Sequence, residues 1–145
     1  MSGRSAVQYG PTAATVAANV YRLRKSCGLS IYSLSDRLGE TGRPITPSAI
    51  GKIERQERQV TVDDLAALAV ALGTSPSALL LPLTDDPAAK IEITGAGRIP
   101  ADQAWDWMDG RRRLDQPTAD PTGAALLYAI HSRPPIRRNR EISGT

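Results

Sequence analysis

Along the first half of the chain, apolar positions recur at helical spacing in five blocks, each with its own start and stop signals. In residues 13–27 they fall at Val16, Val20, Leu23 and Cys27, one face of a helix, and Gly28 stops it. Ser30 is an N-cap for a second helix with Ile31, Leu34 and Leu38 on one face, and Gly39 ends it. Residues 40–44 contain Gly and Pro and read as a turn. Thr46 followed by Pro47 is a cap and then a proline at the first helical position. They open a third helix that runs through Ile50 and Ile53 to Glu54. Thr61 caps a fourth helix, with Asp63 and Asp64 in the first turn, where the helix dipole favours acid. Its buried face is Leu65, Leu68, Ala69 and Leu72, and Gly73 stops it. Ser75 and Pro76 open a short fifth helix whose Leu79 and Leu80 close the core.

Beyond Leu83 the pattern changes. Residues 84–88 read as a linker, and 90–94 (KIEIT) alternate as a short strand. Residues 101–109 predict a helix ended by Gly110, and the apolar stretch 124–130 predicts a last helix entered at Asp120 and Pro121. From Arg133 the chain is rich in Pro and Arg and is expected to be disordered. The division that results is a flexible arm over 1–11, a helical domain over 12–83, a small C-terminal region over 84–131 for packing or self-association, and a disordered basic tail over 132–145. No internal repeat is present.

Composition narrows the fold class. Hydrophobic residues make up 41%, but aromatics only 4% and Phe is absent, so the core must be aliphatic. That favours a helical bundle over a sandwich or barrel, which wants more aromatic and β-branched residues. The net charge is +3, and it is unevenly placed. Up to Leu83 nine Lys/Arg face six Asp/Glu; after it nine face nine. The basic excess lies with the helical blocks and permits an anionic partner there. Cys27 is the sole cysteine, which excludes an internal disulfide framework and a cysteine zinc cluster; its place predicts a small buried hydrophobe. The longest apolar run, 78–83, is far too short to span a bilayer and is broken by Pro82. With no signal pattern at the N-terminus, a soluble, cytoplasmic protein is expected.

The third helix carries the chemistry. Because Ile50 and Ile53 must face the core, Ser48, Gly51 and Lys52 face outward and Pro47 sits at the N-terminal tip. Lys52 can donate to guanine O6 or N7, and Ser48 can bond either type of base. Gly51 inside a helix costs about 1 kcal/mol against Ala, a cost that close approach of a base or a backbone would explain. Two short amphipathic segments joined by a connector, the second polar on its outer face, is the device that puts one helix into the major groove.

Several dispersed features occur in a particular order: Arg24, then Gly28, Leu29 and Ser30, Leu34, Leu38 and Gly39, Ile50, and Ile53, Glu54 and Arg55. The pattern V-D-D-L-x-x-L-A-x-A-L-G follows over 62–73. In these residues the segment 20–80 resembles the phage-repressor-like, or XRE, helix-turn-helix family. The resemblance implies a mainly α fold: a five-helix repressor-like DNA-binding bundle, here with a small C-terminal appendage of a short strand plus helices. It implies base contacts at Pro47, Ser48, Gly51 and Lys52, and an ion pair between Arg24 and Glu54 that orients the recognition helix. Ser30 at the start of the second helix, Arg43 in the turn, and Arg55 and Arg58 after the third helix are the phosphate candidates. The chain departs from the family in three places. The turn 40–45 is longer than usual, Gln56 stands where Gly is common, and Ile31 stands where a DNA-contacting Gln is common.

Other chemistry is weaker. TGAGRIP over 94–100 half-resembles a dinucleotide loop, but Pro100 replaces the third glycine and too little chain remains for a nucleotide-binding sheet. His131 is the only histidine and has no cluster of metal-ligating neighbours. A self-cleaving Ser/Lys domain would need more strands than KIEIT, and Lys90 is the only lysine after Leu83. No enzyme activity, cofactor or metal is expected. Trp105 and Met108 share a helical face while Trp107 points elsewhere, a group suited to packing or self-association. Arg111, Arg112 and Arg113, with Arg133, Arg137, Arg138 and Arg140, serve either nonspecific phosphate attraction or a solvated surface. The sequence therefore reads as a sequence-specific, double-stranded-DNA-binding transcriptional regulator, most simply a repressor that occupies a promoter as a homodimer. The alternative is an antitoxin-like DNA-binding protein whose C-terminal region binds a protein partner.

Overall fold

The computed structural model describes residues 8–115 and 119–142. It is mainly helical, with one two-stranded antiparallel sheet. The chain divides into two compact units, one of Met1–Leu83 with Glu92–Gly95, the other of Thr84–Ile91 with Ala96–Thr145.

The first unit holds α1 (Pro11–Ser26), α2 (Ile31–Glu40), α3 (Pro47–Glu54), α4 (Val62–Ala71) and α5 (Pro76–Leu80). Four of these five helices start on a hydroxyl cap. Ser30 accepts from the Ser33 amide, Thr46 from Ala49, Thr61 from Asp64 and Ser75 from Ala78. Each cap satisfies an amide that the helix itself cannot, and each is worth about 1 kcal/mol. Their apolar faces meet in one aliphatic core: Val16 and Val20 from α1, Leu34 and Leu38 from α2, Ile50 and Ile53 from α3, Leu68 from α4 and Leu79 from α5. Asn19 is buried among them, and its amide donates to Leu79 O at 3.0 Å and Leu81 O at 2.8 Å. It thereby satisfies two carbonyls at the open end of α5 that would otherwise be stranded.

Some boundaries differ from expectation. α2 runs through Gly39 to Glu40 and is closed by Thr41, whose hydroxyl donates to Leu38 O at 2.7 Å. The positive φ needed after it falls on Gly42, at 82°. The α2–α3 turn is therefore 41–46, and Ser35 fastens it by donating to Ile45 O at 2.6 Å. α1 begins at Pro11, and most of the arm expected over 1–11 lies outside the described residues. Cys27 is exposed rather than buried, because α1 ends before it and it occupies the C-cap.

The second set of elements is β1 (Lys90–Ile93), β2 (Gly97–Pro100), α6 (Ala101–Met108), α7 (Pro121–Ser132) and α8 (Pro135–Ile142). The KIEIT strand is not alone: TGAGRIP supplies its partner β2, through a turn in which Gly95 (φ 88°) and Gly97 (φ 78°) take conformations closed to most residues. α6 buries Ala101 and Ala104, while Trp105 and Trp107 are half-buried. Tyr128 of α7 donates to Trp107 O at 2.6 Å and ties α6 to α7. The segment expected as a disordered tail carries α8. Pro135 occupies a first-turn position where its missing N–H costs nothing, and the arginines behind it are good helix formers.

Candidate nucleic-acid interface

The inner face of α3 is set by the core. Ile50 and Ile53 are both 0% exposed, and cutting either to Ala would cost about 2–5 kcal/mol. Helical geometry then leaves Ser48 and Lys52 exposed, with Pro47 and Gly51 half-buried beside them. All four residues expected to read bases thus lie at the N-terminal tip or along the open side of one eight-residue helix.

Gly51 has a neighbour that the sequence does not reveal. A Cβ built there would lie 2.9 Å from Nη1 of Arg55, and its three nearest neighbours would all be atoms of that guanidinium. Arg55, one turn on, lays its guanidinium back over the bare glycine, and Glu57 holds its Nε and Nη2 at 3.3 Å each. Arg55 therefore lies along the open side of α3, closer to the residues expected to read bases than its place after the helix implies.

The C-terminal end of α3 is closed by a Schellman motif: Gln56 N donates to Ile53 O at 3.0 Å and Glu57 N to Lys52 O at 2.7 Å. The motif puts Gln56 at φ 61°, the only non-glycine residue with positive φ among the described residues. α1 and α4 end by the same pattern on Gly28 and Gly73. The departure from the family's glycine is thus absorbed without a change of geometry.

Arg24 and Glu54 form the ion pair that the resemblance implies. Arg24 Nε and Nη2 each donate to a different Glu54 oxygen at 2.8 Å, and Nη1 donates to Leu29 O at 2.9 Å. Each side chain is only 9% exposed. The hydrogen bonds to Glu54 raise the Arg24 pKa against the opposing pull of burial. This pair links α1 to the end of α3, so α3 is held by a side-chain brace as well as by packing.

The phosphate candidates are dispersed around α3. Ser30 is exposed, and its hydroxyl serves the α2 cap. Arg43, in the turn before α3, donates through Nε to Asp64 Oδ1 at 3.1 Å and through Nη2 to Thr61 Oγ1 at 3.4 Å. Arg58, in the loop after α3, brings Nη1 to 3.6 Å from Asp64 Oδ2. Asp64 is 1% exposed and also accepts the Thr61 amide at 3.1 Å, completing a capping box. Burial alone would push its carboxyl pKa up. The Thr61 amide, Arg43 and Arg58 outweigh burial and bring it below the ordinary value. In the sequence Asp64 reads only as a first-turn acid, because the convergence of two arginines on it depends on tertiary placement.

A comparison with protein families matches residues 20–79 to the family described as helix-turn-helix. Among curated proteins and among solved structures, no match was found. The matched segment spans the C-terminal part of α1, all of α2, α3 and α4, and nearly all of α5, and it includes both partners of the Arg24–Glu54 brace. Residues 20–79 thus form a helix-turn-helix domain of the XRE type, a match that supports a DNA-binding transcription regulator.

Proposed function

We propose that the chain is a repressor that reads the major groove of double-stranded DNA with α3 and acts as a homodimer on two half-sites. The observation that carries this reading is the division of α3 into two faces, with Ile50 and Ile53 locked inside and Ser48 and Lys52 open. On DNA, Lys52 donates to guanine O6 or N7, Ser48 bonds a neighbouring base edge, and Pro47 and Gly51 let the helix approach closely. Ser30, Arg43, Arg55 and Arg58 meet phosphates, displace counterions and set the register. Repression follows from occupying the promoter.

Support for the dimer does not come from the KIEIT strand, whose edge is already paired with β2 on one side. It comes instead from α7. This helix has no buried residue, and Leu126, Leu127 and Ile130 stay 55%, 54% and 45% exposed. A helix this apolar is stable in water only when its face is covered. A second copy supplies that cover and places two recognition helices on one operator. The same face favours the second reading, an antitoxin-like protein whose C-terminal region covers a protein partner.

The test is selection of a preferred duplex from a random pool, followed by binding measurements with Lys52→Ala. The variant is expected to lose about 1–3 kcal/mol and to relax preference at one base position in each half-site. Unchanged affinity and preference would remove α3 from the groove. The molar mass of the full chain on its operator separates the two assemblies: two copies per site support the homodimer, and co-purification of a stoichiometric small protein supports the antitoxin reading.

A further inference from the structure

The recognition helix is held between two loops, and the two loops share one carboxylate. Arg43 lies in the segment that leads into α3, Arg58 in the segment that leaves it, and both turn to Asp64. Capping α4 asks little of this residue. One oxygen accepting the Thr61 amide is enough, and Gln or Glu at the same position would serve as well. An acid at 1% exposure in an aliphatic bundle is costly unless its charge is answered. Here the second oxygen, Oδ1, accepts from Arg43, and Arg58 lies 3.6 Å from the Oδ2 that takes the Thr61 amide, so both arginines answer the charge. Their side chains nevertheless remain 46% and 36% exposed, so each is paired with Asp64 and still reachable from solvent. Two arginines brought together without the acid would repel one another; with it the three side chains carry a net single positive charge.

We propose that Asp64 is a positioning residue for DNA recognition: it pins Arg43 and Arg58 where they meet the phosphates beside α3 and so fixes how α3 enters the groove. This rests on the DNA-binding reading above. The arrangement also gives the long α2–α3 turn a role. The turn delivers Arg43 to Asp64, and Ser35, bonded to Ile45 O, holds its far end.

Electrostatics alone and positioning predict opposite signs for Asp64→Asn. Removing a negative charge beside the interface should tighten binding to every duplex. Positioning requires instead that affinity for the selected duplex falls roughly tenfold, as when one base contact is lost, while affinity for a scrambled duplex holds or rises. Asp64→Glu retains the charge and the capping box and is expected to recover most of that discrimination. Arg43→Lys keeps the charge but loses the fork that grips Asp64, so it is expected to lose discrimination too. That variant lies on an exposed turn and keeps the test open should Asp64→Asn unfold. A DNA-free readout accompanies these: amide exchange over 41–46 and 56–60 should quicken in Asp64→Asn and slow again in Asp64→Glu, with α1 and α5 unchanged. Asp64→Asn or Arg43→Lys binding both duplexes as the wild type does, or exchange that stays slow in Asp64→Asn, would overturn the positioning role alone. A wild-type chain that ignores every duplex would overturn the DNA reading, and with it the role of Asp64 in recognition.

Discussion

Replacing Glu54 by Gln tests how α3 is braced. The substitution keeps the shape of the side chain and one acceptor but removes the charge that Arg24 faces across two bonds of 2.8 Å. At 9% exposure on both sides, water cannot replace what is lost. A hydrogen bond to a charged group contributes about 1.5–3 kcal/mol, and orphaning one member of a buried pair costs about 3–5 kcal/mol. Arg24 keeps Leu29 O and a cation–π contact with Tyr21, 5.5 Å from the ring centroid, so the lower part of that range applies. We expect Glu54→Gln to cost about 2–3 kcal/mol. Arg24→Met leaves Glu54 as a buried, uncompensated carboxylate and should cost about 3–4 kcal/mol. The double variant Arg24→Met, Glu54→Leu removes both charges and should cost less than the sum of the separate changes by at least about 2 kcal/mol. The assay is urea unfolding followed by far-UV circular dichroism, comparing midpoints at constant slope. Single losses below about 1 kcal/mol that add within about 0.5 kcal/mol would mark the pair as a surface contact and refute the brace.

Two further outcomes follow from the geometry around α3 and can be checked by the same unfolding measurement. Gln56→Gly should stabilise the protein by about 0.5–1 kcal/mol, because φ 61° strains a residue with a side chain and suits glycine; a loss of stability would show that the Gln56 side chain contributes something the backbone does not. Asp64 should give the acid limb part of its slope. Its folded pKa lies below the ordinary 3.8, so its contribution is complete above that value and is lost as pH falls through the folded pKa. Asp64→Asn should therefore narrow its deficit against the wild type as pH is lowered through that region. A deficit that stays constant down to the lowest pH would mean that the carboxylate charge is not what stabilises the fold.

Local chemistry was legible in the sequence, and convergence in space was not. Ser30, Thr46, Thr61 and Ser75 could be read as caps because each cap involves only the next three residues. Ile50 and Ile53 gave the inner face of α3 by spacing alone, and hence its outer face. Arg24 and Glu54 could be paired because the family pattern carries both. Nothing in the order of residues brings Asn19 to Leu79 and Leu81, Ser35 to Ile45, or Arg43 and Arg58 to Asp64; those contacts exist only after the helices pack. β2 was missed for a different reason. Gly and Pro make GRIP a poor strand by propensity, and it forms because a tight glycine turn folds it back on β1. α8 was missed because composition argued for disorder while the residues themselves are good helix formers behind a proline start.

The central claim is that α3 lies in the major groove, and interference mapping on the selected duplex tests it most directly. Methylation of guanine N7 blocks an acceptor in the major groove, whereas methylation of adenine N3 blocks one in the minor groove. The account predicts that N7 methylation abolishes binding at guanines in two half-sites about one helical turn apart, and that Lys52→Ala removes the sensitivity at one guanine in each. Binding indifferent to N7 and sensitive only to adenine N3 would contradict it.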